Sequence, residues 1–69
     1  MIYQRIAEYL TEKGIKQSIV AEKAGLSRMA MSEALRGKRK IEVEEYAAIC
    51  EALELPPEKF INEDTMASS

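Results

Sequence analysis

The sequence predicts a compact all-α domain of five short helices. Three observations carry that expectation. Apolar residues recur at three- and four-residue spacing in four separate stretches, and none alternates apolar and polar as a strand would. Glycines stand at 14, 25 and 37, each just after one of those stretches, where a helix most readily ends in a left-handed residue. Pro56 and Pro57 punctuate the chain after the fourth stretch.

The first helix sets Ile2, Ile6, Tyr9 and Leu10 on one face and ends before Gly14. The second runs from about residue 16 to 24, with Ile19, Val20 and Ala24 inward. The third opens at Ser27, whose hydroxyl suits an N-cap, and closes at Gly37. Its inward residues are Met31, Ala34 and Leu35. The fourth spans about 42 to 53, with Tyr46, Ile49, Cys50 and Leu53 inward. Glu44 and Glu45 fall in its first turn, where the helix dipole favours anions. Pro56 and Pro57 are expected to stop it, and Pro57 to open a short fifth helix through Phe60. The last eight residues, NEDTMASS, lack an apolar pattern. The expected division is therefore one domain over residues 1–61 and a flexible tail over 62–69.

Composition narrows the chemistry. A chain of 69 residues is one small domain at most. Its single cysteine, Cys50, can form no internal disulfide and reads as a small buried apolar residue. There is no histidine, hence no Cys/His zinc cluster. No metal or other cofactor is expected; the dipole and solvation account for Glu42, Glu44 and Glu45. No glycine-rich phosphate loop and no nucleophile–base pair point to an enzyme. The longest apolar run, 46–50, is far short of a membrane span, and the first ten residues carry no signal-peptide core. A free thiol suits a reducing compartment, so the expected location is the cytoplasm.

Charge is where the chain departs from blandness. The net charge is −2, yet residues 1–40 hold nine Lys and Arg against four Glu, net +5. Residues 41–69 hold Lys59 against eight acids, net −7. Half of all the basic residues fall in 25–40: Arg28, Arg36, Lys38, Arg39 and Lys40. A basic half can hold a polyanion while the acidic half faces elsewhere. The alternative for Lys38–Lys40 is an ordinary solvated loop.

The joint AEKAGLSRMAMSEAL, residues 21–35, places two short helices on either side of Gly25 and Leu26, or of those two with Ser27. So tight a turn needs positive φ, which glycine supplies without steric cost. Ala21 is small where the two helices must approach, and Val20, Ala24, Leu26, Met31 and Ala34 face a common core. This is a helix-turn-helix layout.

Together with Gln17, Ala21, Gly25, Leu26, Ser27, Met31 and the Gly37-Lys38-Arg39-Lys40 exit, this layout resembles the phage-repressor-like (Xre) helix-turn-helix family. The resemblance covers residues 2 to about 61. It implies the five-helix lambda-repressor-like fold and sequence-specific binding to double-stranded DNA by a transcriptional regulator, usually a dimer and here read as a repressor. It also implies roles. Gln17 and Ser27 match phosphate-contacting positions. Arg28, Met29, Ser32 and Glu33 match positions facing the major groove, and Arg36 and Lys38 lie toward the flanking backbone, with Arg39 and Lys40 completing the basic exit. Two departures stand out. Leu10 and Leu35 occupy places where many relatives pair an Arg with a Glu, and Glu42 stands where the fourth helix usually opens with Ser or Thr, so a weaker cap is expected.

Chemistry leaves some roles open at this point. Arg28 can pair with guanine or touch only phosphate. Met29 is available to a thymine methyl or to the core. Glu33 either accepts from cytosine or turns aside to pair with Arg36. A second reading, an antitoxin or protein-interaction adaptor docking a partner on the acidic half, uses the same fold.

Overall fold

Each of the first four helices stops at a residue with positive φ, and those stops lay out the fold. The computed structural model describes residues 2–62. Among them lie five helices and no strand: α1 (Ile2–Lys13), α2 (Gln17–Ala24), α3 (Arg28–Leu35), α4 (Val43–Ala52) and α5 (58–62). Of the expected tail over 62–69, residue 62 is the last of α5 and the remainder lies outside the described residues.

The stop after α2 shows the device. Gly25 has φ 75°, the Leu26 amide donates to the Ala21 carbonyl at 2.8 Å, and the Gly25 amide donates to that of Glu22 at 3.2 Å. This double closure satisfies carbonyls that the helix end leaves open and turns the chain sharply. The same pair of bonds closes α1 at Gly14, α3 at Gly37 and α4 at Glu54. Glu54, at φ 58°, is the only non-glycine with positive φ among the described residues. The expectation that Pro56 and Pro57 stop the fourth helix is thereby corrected. The Leu55 amide already reaches the Cys50 carbonyl at 2.9 Å, before either proline. The prolines instead lead into α5, whose helical backbone begins one residue after Pro57.

The residue after each left-handed position ties the turn to the interior. Ile15, Leu26 and Leu55 all pack against the core. The fourth member of that set is Lys38, and it is exposed. The exit of α3 is therefore turned to solvent where the other three exits are turned inward.

One apolar cluster holds the helices together. It contains Ile6 and Leu10 of α1, Val20 and Ala21 of α2, Met31 and Leu35 of α3, Ile49 and Cys50 of α4, and Phe60 of α5. Among the described residues no polar or charged residue is buried. Leu10 and Leu35, where relatives often place an ion pair, are both in this cluster; an apolar pair avoids the desolvation that buried charges require. α2 lies against α3 and α4, and α1 against α3. Phe60 is fully buried, its ring meeting that of Tyr9 edge-on at 5.7 Å and 81°. Ile61, by contrast, is exposed.

The expectation for Ile19 needs correction. It is 47% exposed, while Val20 and Ala21 are buried. Successive helical residues are rotated by about 100°, so the pair Val20–Ala21 sets the inward direction and carries Ile19 outward. The cap of α4 also differs in kind from the expectation. Glu42 occupies the N-cap, and the Glu45 side chain reaches back, its Oε1 accepting from the Glu42 amide at 3.1 Å.

Tyr46 links α4 to the last segment, its hydroxyl donating to the Pro57 carbonyl. Burial, reinforced by the neighbouring Cys50 thiol, pushes the Tyr46 phenol up from its ordinary 10.0 to about 12. Burial pushes the Cys50 thiol up as well.

Two expectations follow from the helix ends and from Tyr46. Glu54→Gly should stabilise the protein by about 0.5–1 kcal/mol by relieving the left-handed strain, whereas Gly25→Ala should destabilise it by about 1–2 kcal/mol. Urea denaturation checks both, and equal signs would contradict the shared geometry. For Tyr46, the folded state holds the phenolic proton more tightly than the unfolded state. That contribution is complete below pH 10 and is lost as pH rises toward 12. Thermal melts across this window should therefore fall less steeply in Tyr46→Phe than in the wild type, any decline that starts lower belonging to Cys50.

Candidate nucleic-acid interface

Three residues separate α2 from α3, and each has a distinct task. Gly25 supplies the left-handed turn. Leu26 packs inward against the core. Ser27 starts α3: its backbone is extended, at φ −71° and ψ 158°, and its Oγ accepts from the Ala30 amide at 3.1 Å. This is the observed form of the joint seen in the sequence.

α3 is divided lengthwise by burial. Met31, Ala34 and Leu35 are buried, which settles Met31 as core. Arg28, Met29 and Arg36 are exposed, Met29 to 72%, so Met29 is not a core residue. Ser32 and Glu33 are half-buried between the two sides. Helical spacing sets Arg28, Ser32 and Arg36 along one row and Met29 and Glu33 along the next, so these five share one face. Among the described residues, Glu33 and Arg36 form no ion pair. The Arg36 Nε instead donates to the Ser32 carbonyl at 3.4 Å.

Beyond α3 the chain passes through Gly37, at φ 74°, where the ring of Tyr3 from α1 closes over the backbone. A Cβ at this position would lie 2.6 Å from that ring, so a side chain here would displace Tyr3. Lys38 and Lys40 are exposed. Arg39 is not equivalent to them: its Nη2 lies 2.9 Å from Oε2 of Glu45 on α4. Gln17 opens α2 and is exposed, next to the extended N-cap residue Lys16, which supplies no side-chain cap.

The fold thus gathers Arg28, Met29, Ser32, Glu33 and Arg36 on one helix face. It leaves Lys38 and Lys40 exposed on the loop that follows α3 and draws Arg39 toward α4. Sequence reasoning missed Tyr3 and the second task of Glu45. For Glu45 a signal existed, since the spacing Glu42-x-x-Glu45 is that of a reach-back cap. For Tyr3 none did, because only the folded chain brings the start of α1 to the exit of α3. No group of three or more possible metal ligands is assembled among the described residues, and no helix there is long and apolar enough to cross a membrane.

A family model described as a Cro/C1-type helix-turn-helix DNA-binding domain matches residues 5–62. No curated protein matches the chain.

Ser27 bears directly on how α3 is presented. Ser27→Ala should destabilise the fold by about 1 kcal/mol through loss of the cap, while Ser27→Asp should retain most of the stability. Circular dichroism melts measure both, and equal losses would mean that the hydroxyl does not cap α3.

Proposed function

The chain belongs to the Cro/C1-type helix-turn-helix DNA-binding family, and from that premise we propose that it is a sequence-specific transcriptional regulator, a repressor, that reads the major groove with α3. The observation that carries the reading is the lengthwise division of α3. Its apolar stripe is consumed by the core, and the opposite face leads from Arg28 and Met29 through Arg36 into an exposed basic loop. Lys and Arg that neutralise phosphates release condensed counterions, so affinity rises as salt falls.

In this reading the parts divide by chemistry. Gln17 and Ser27, at the starts of α2 and α3, contact phosphates and set the register of the helix on the duplex. Arg28 donates two hydrogen bonds to guanine O6 and N7. Met29, an exposed apolar side chain at the entry of the helix, meets a thymine methyl. Ser32 pairs with a base edge. Glu33, free of Arg36, accepts from a cytosine amino group. Arg36, Lys38 and Lys40 run along the flanking backbone.

A second copy of the chain completes the proposal, because a two-fold dimer reads two half-sites about one helical turn apart. Val43 and Ile61, exposed to 83% and 44%, are apolar surface that a partner copy can cover. The proposed domain runs to the end of α5 at residue 62, and its proposed setting is the cytoplasm.

In vitro selection of bound duplexes tests this reading. The wild type should enrich inverted half-sites. Arg28→Ala should weaken binding and relax one position by about 1–3 kcal/mol. Glu33→Ala should raise affinity for non-specific DNA and relax a different position by a similar amount, since it removes both a repulsive charge and a cytosine acceptor. Selection that enriches no sequence in the wild type overturns specific reading. A preferred site left unchanged by Glu33→Ala removes Glu33 from the reading set.

A further inference from the structure

The exit of α3 carries three consecutive cations, and the fold treats the middle one differently. Lys38 and Lys40 are exposed, and neither has an ion-pair partner among the described residues. Arg39 is half-buried, and the side chain of its partner Glu45 is only 18% exposed. The two oxygens of Glu45 have separate tasks. Oε2 accepts from Arg39 Nη2 at 2.9 Å, and Oε1 accepts from the Glu42 amide at 3.1 Å. One carboxylate therefore joins the guanidinium of the loop to the first turn of α4. Ile41, the next residue inward, packs against the core.

We propose that Arg39 is a positioning residue of the DNA face and not a phosphate ligand: its pair with Glu45 pins the loop over 37–41 to α4, so that Lys38 and Lys40, on either side of it, are held outward to the phosphates. The inference rests on the DNA-binding reading above. Its physical basis is the cost of the alternative. Swinging Arg39 out to a phosphate breaks a short charge-assisted hydrogen bond. It also leaves the largely buried Glu45 carboxylate without a cation, close to an anionic backbone. Lys38 and Lys40 lose nothing of the kind when they meet DNA. A loop pinned at Arg39 and Ile41 also presents its lysines in one arrangement, so less conformational freedom is lost on binding.

The salt dependence of binding to a fixed duplex, followed by fluorescence anisotropy, separates the roles. Lys38→Gln and Lys40→Gln should each lower the slope of log Kobs against log salt by about 0.9, the signature of one lost phosphate contact. Arg39→Gln should keep the wild-type slope while weakening binding about fivefold. Glu45→Gln should also weaken binding, even though it removes a negative charge, and the double variant should be no worse than the weaker single one. If Arg39→Gln loses slope as the lysine variants do, or if Glu45→Gln tightens binding because a freed guanidinium reaches DNA, Arg39 is a phosphate ligand and the proposal fails. A measurement without DNA keeps the two readings apart. Backbone amide order parameters at Lys38 and Lys40 should fall in Arg39→Gln and Glu45→Gln with helical content unchanged. Unaltered loop order overturns the positioning role. A wild-type chain that binds no duplex at any salt overturns the DNA-binding reading alone, and loop order then decides the role of Arg39.

Discussion

The backbone closure at the helix ends is the constraint from which the rest of this domain follows. Four helices of 12, 8, 8 and 10 residues are each cut off by a left-handed residue and a pair of reversed hydrogen bonds. Helices this short are not stable alone, and they persist because each lays a few apolar residues into one shared cluster. The closures turn the chain sharply at each helix end, so that four short stripes can converge. The left-handed position is a steric demand. Glycine meets it at three of the four ends, and Glu54 meets it with strain at the fourth.

The same closure also shapes the proposed DNA face. After α1, α2 and α4 the next residue is Ile15, Leu26 or Leu55, and each draws the chain back onto the core. After α3 it is Lys38, with no apolar side chain to be buried. The chain therefore leaves α3 with Lys38 and Lys40 exposed. Tyr3 supports this arrangement from α1 by closing over Gly37, where only a bare backbone leaves room for the ring. Packing and charge presentation are set by one local choice of residue.

The interior is wholly apolar among the described residues, which concentrates every charge at the surface and makes its pattern matter. Leu10 and Leu35 contribute to the core without any buried ion pair, so orientation comes from shape rather than from charge pairing. One electrostatic link between elements lies outside the core, between Arg39 and Glu45, at the seam between the basic and acidic halves of the sequence. The pair joins the loop to the first turn of α4, while Lys38 and Lys40 on either side of Arg39 are exposed and have no ion-pair partner among the described residues.

Much of this was legible in the sequence. The glycines at 14, 25 and 37, the periodic apolar residues and Ser27 determined an all-α chain with a tight turn at Gly25 between α2 and α3, because those signals act within a few residues. The inward set Met31, Ala34 and Leu35 was determined for the same reason. Sequence did not place Ile19, because on a two-turn helix two neighbouring stripes differ by one residue and only packing partners choose between them. Nor did it show that Glu54 ends α4, since the prolines downstream gave a louder signal and a strained non-glycine residue gives none. The tertiary structure alone decided that Lys38, Arg39 and Lys40, chemically alike and adjacent, are not equivalent. That distinction depends on which of them comes within reach of Glu45, and a contact between two elements is fixed by how the helices pack, not by the order of the residues.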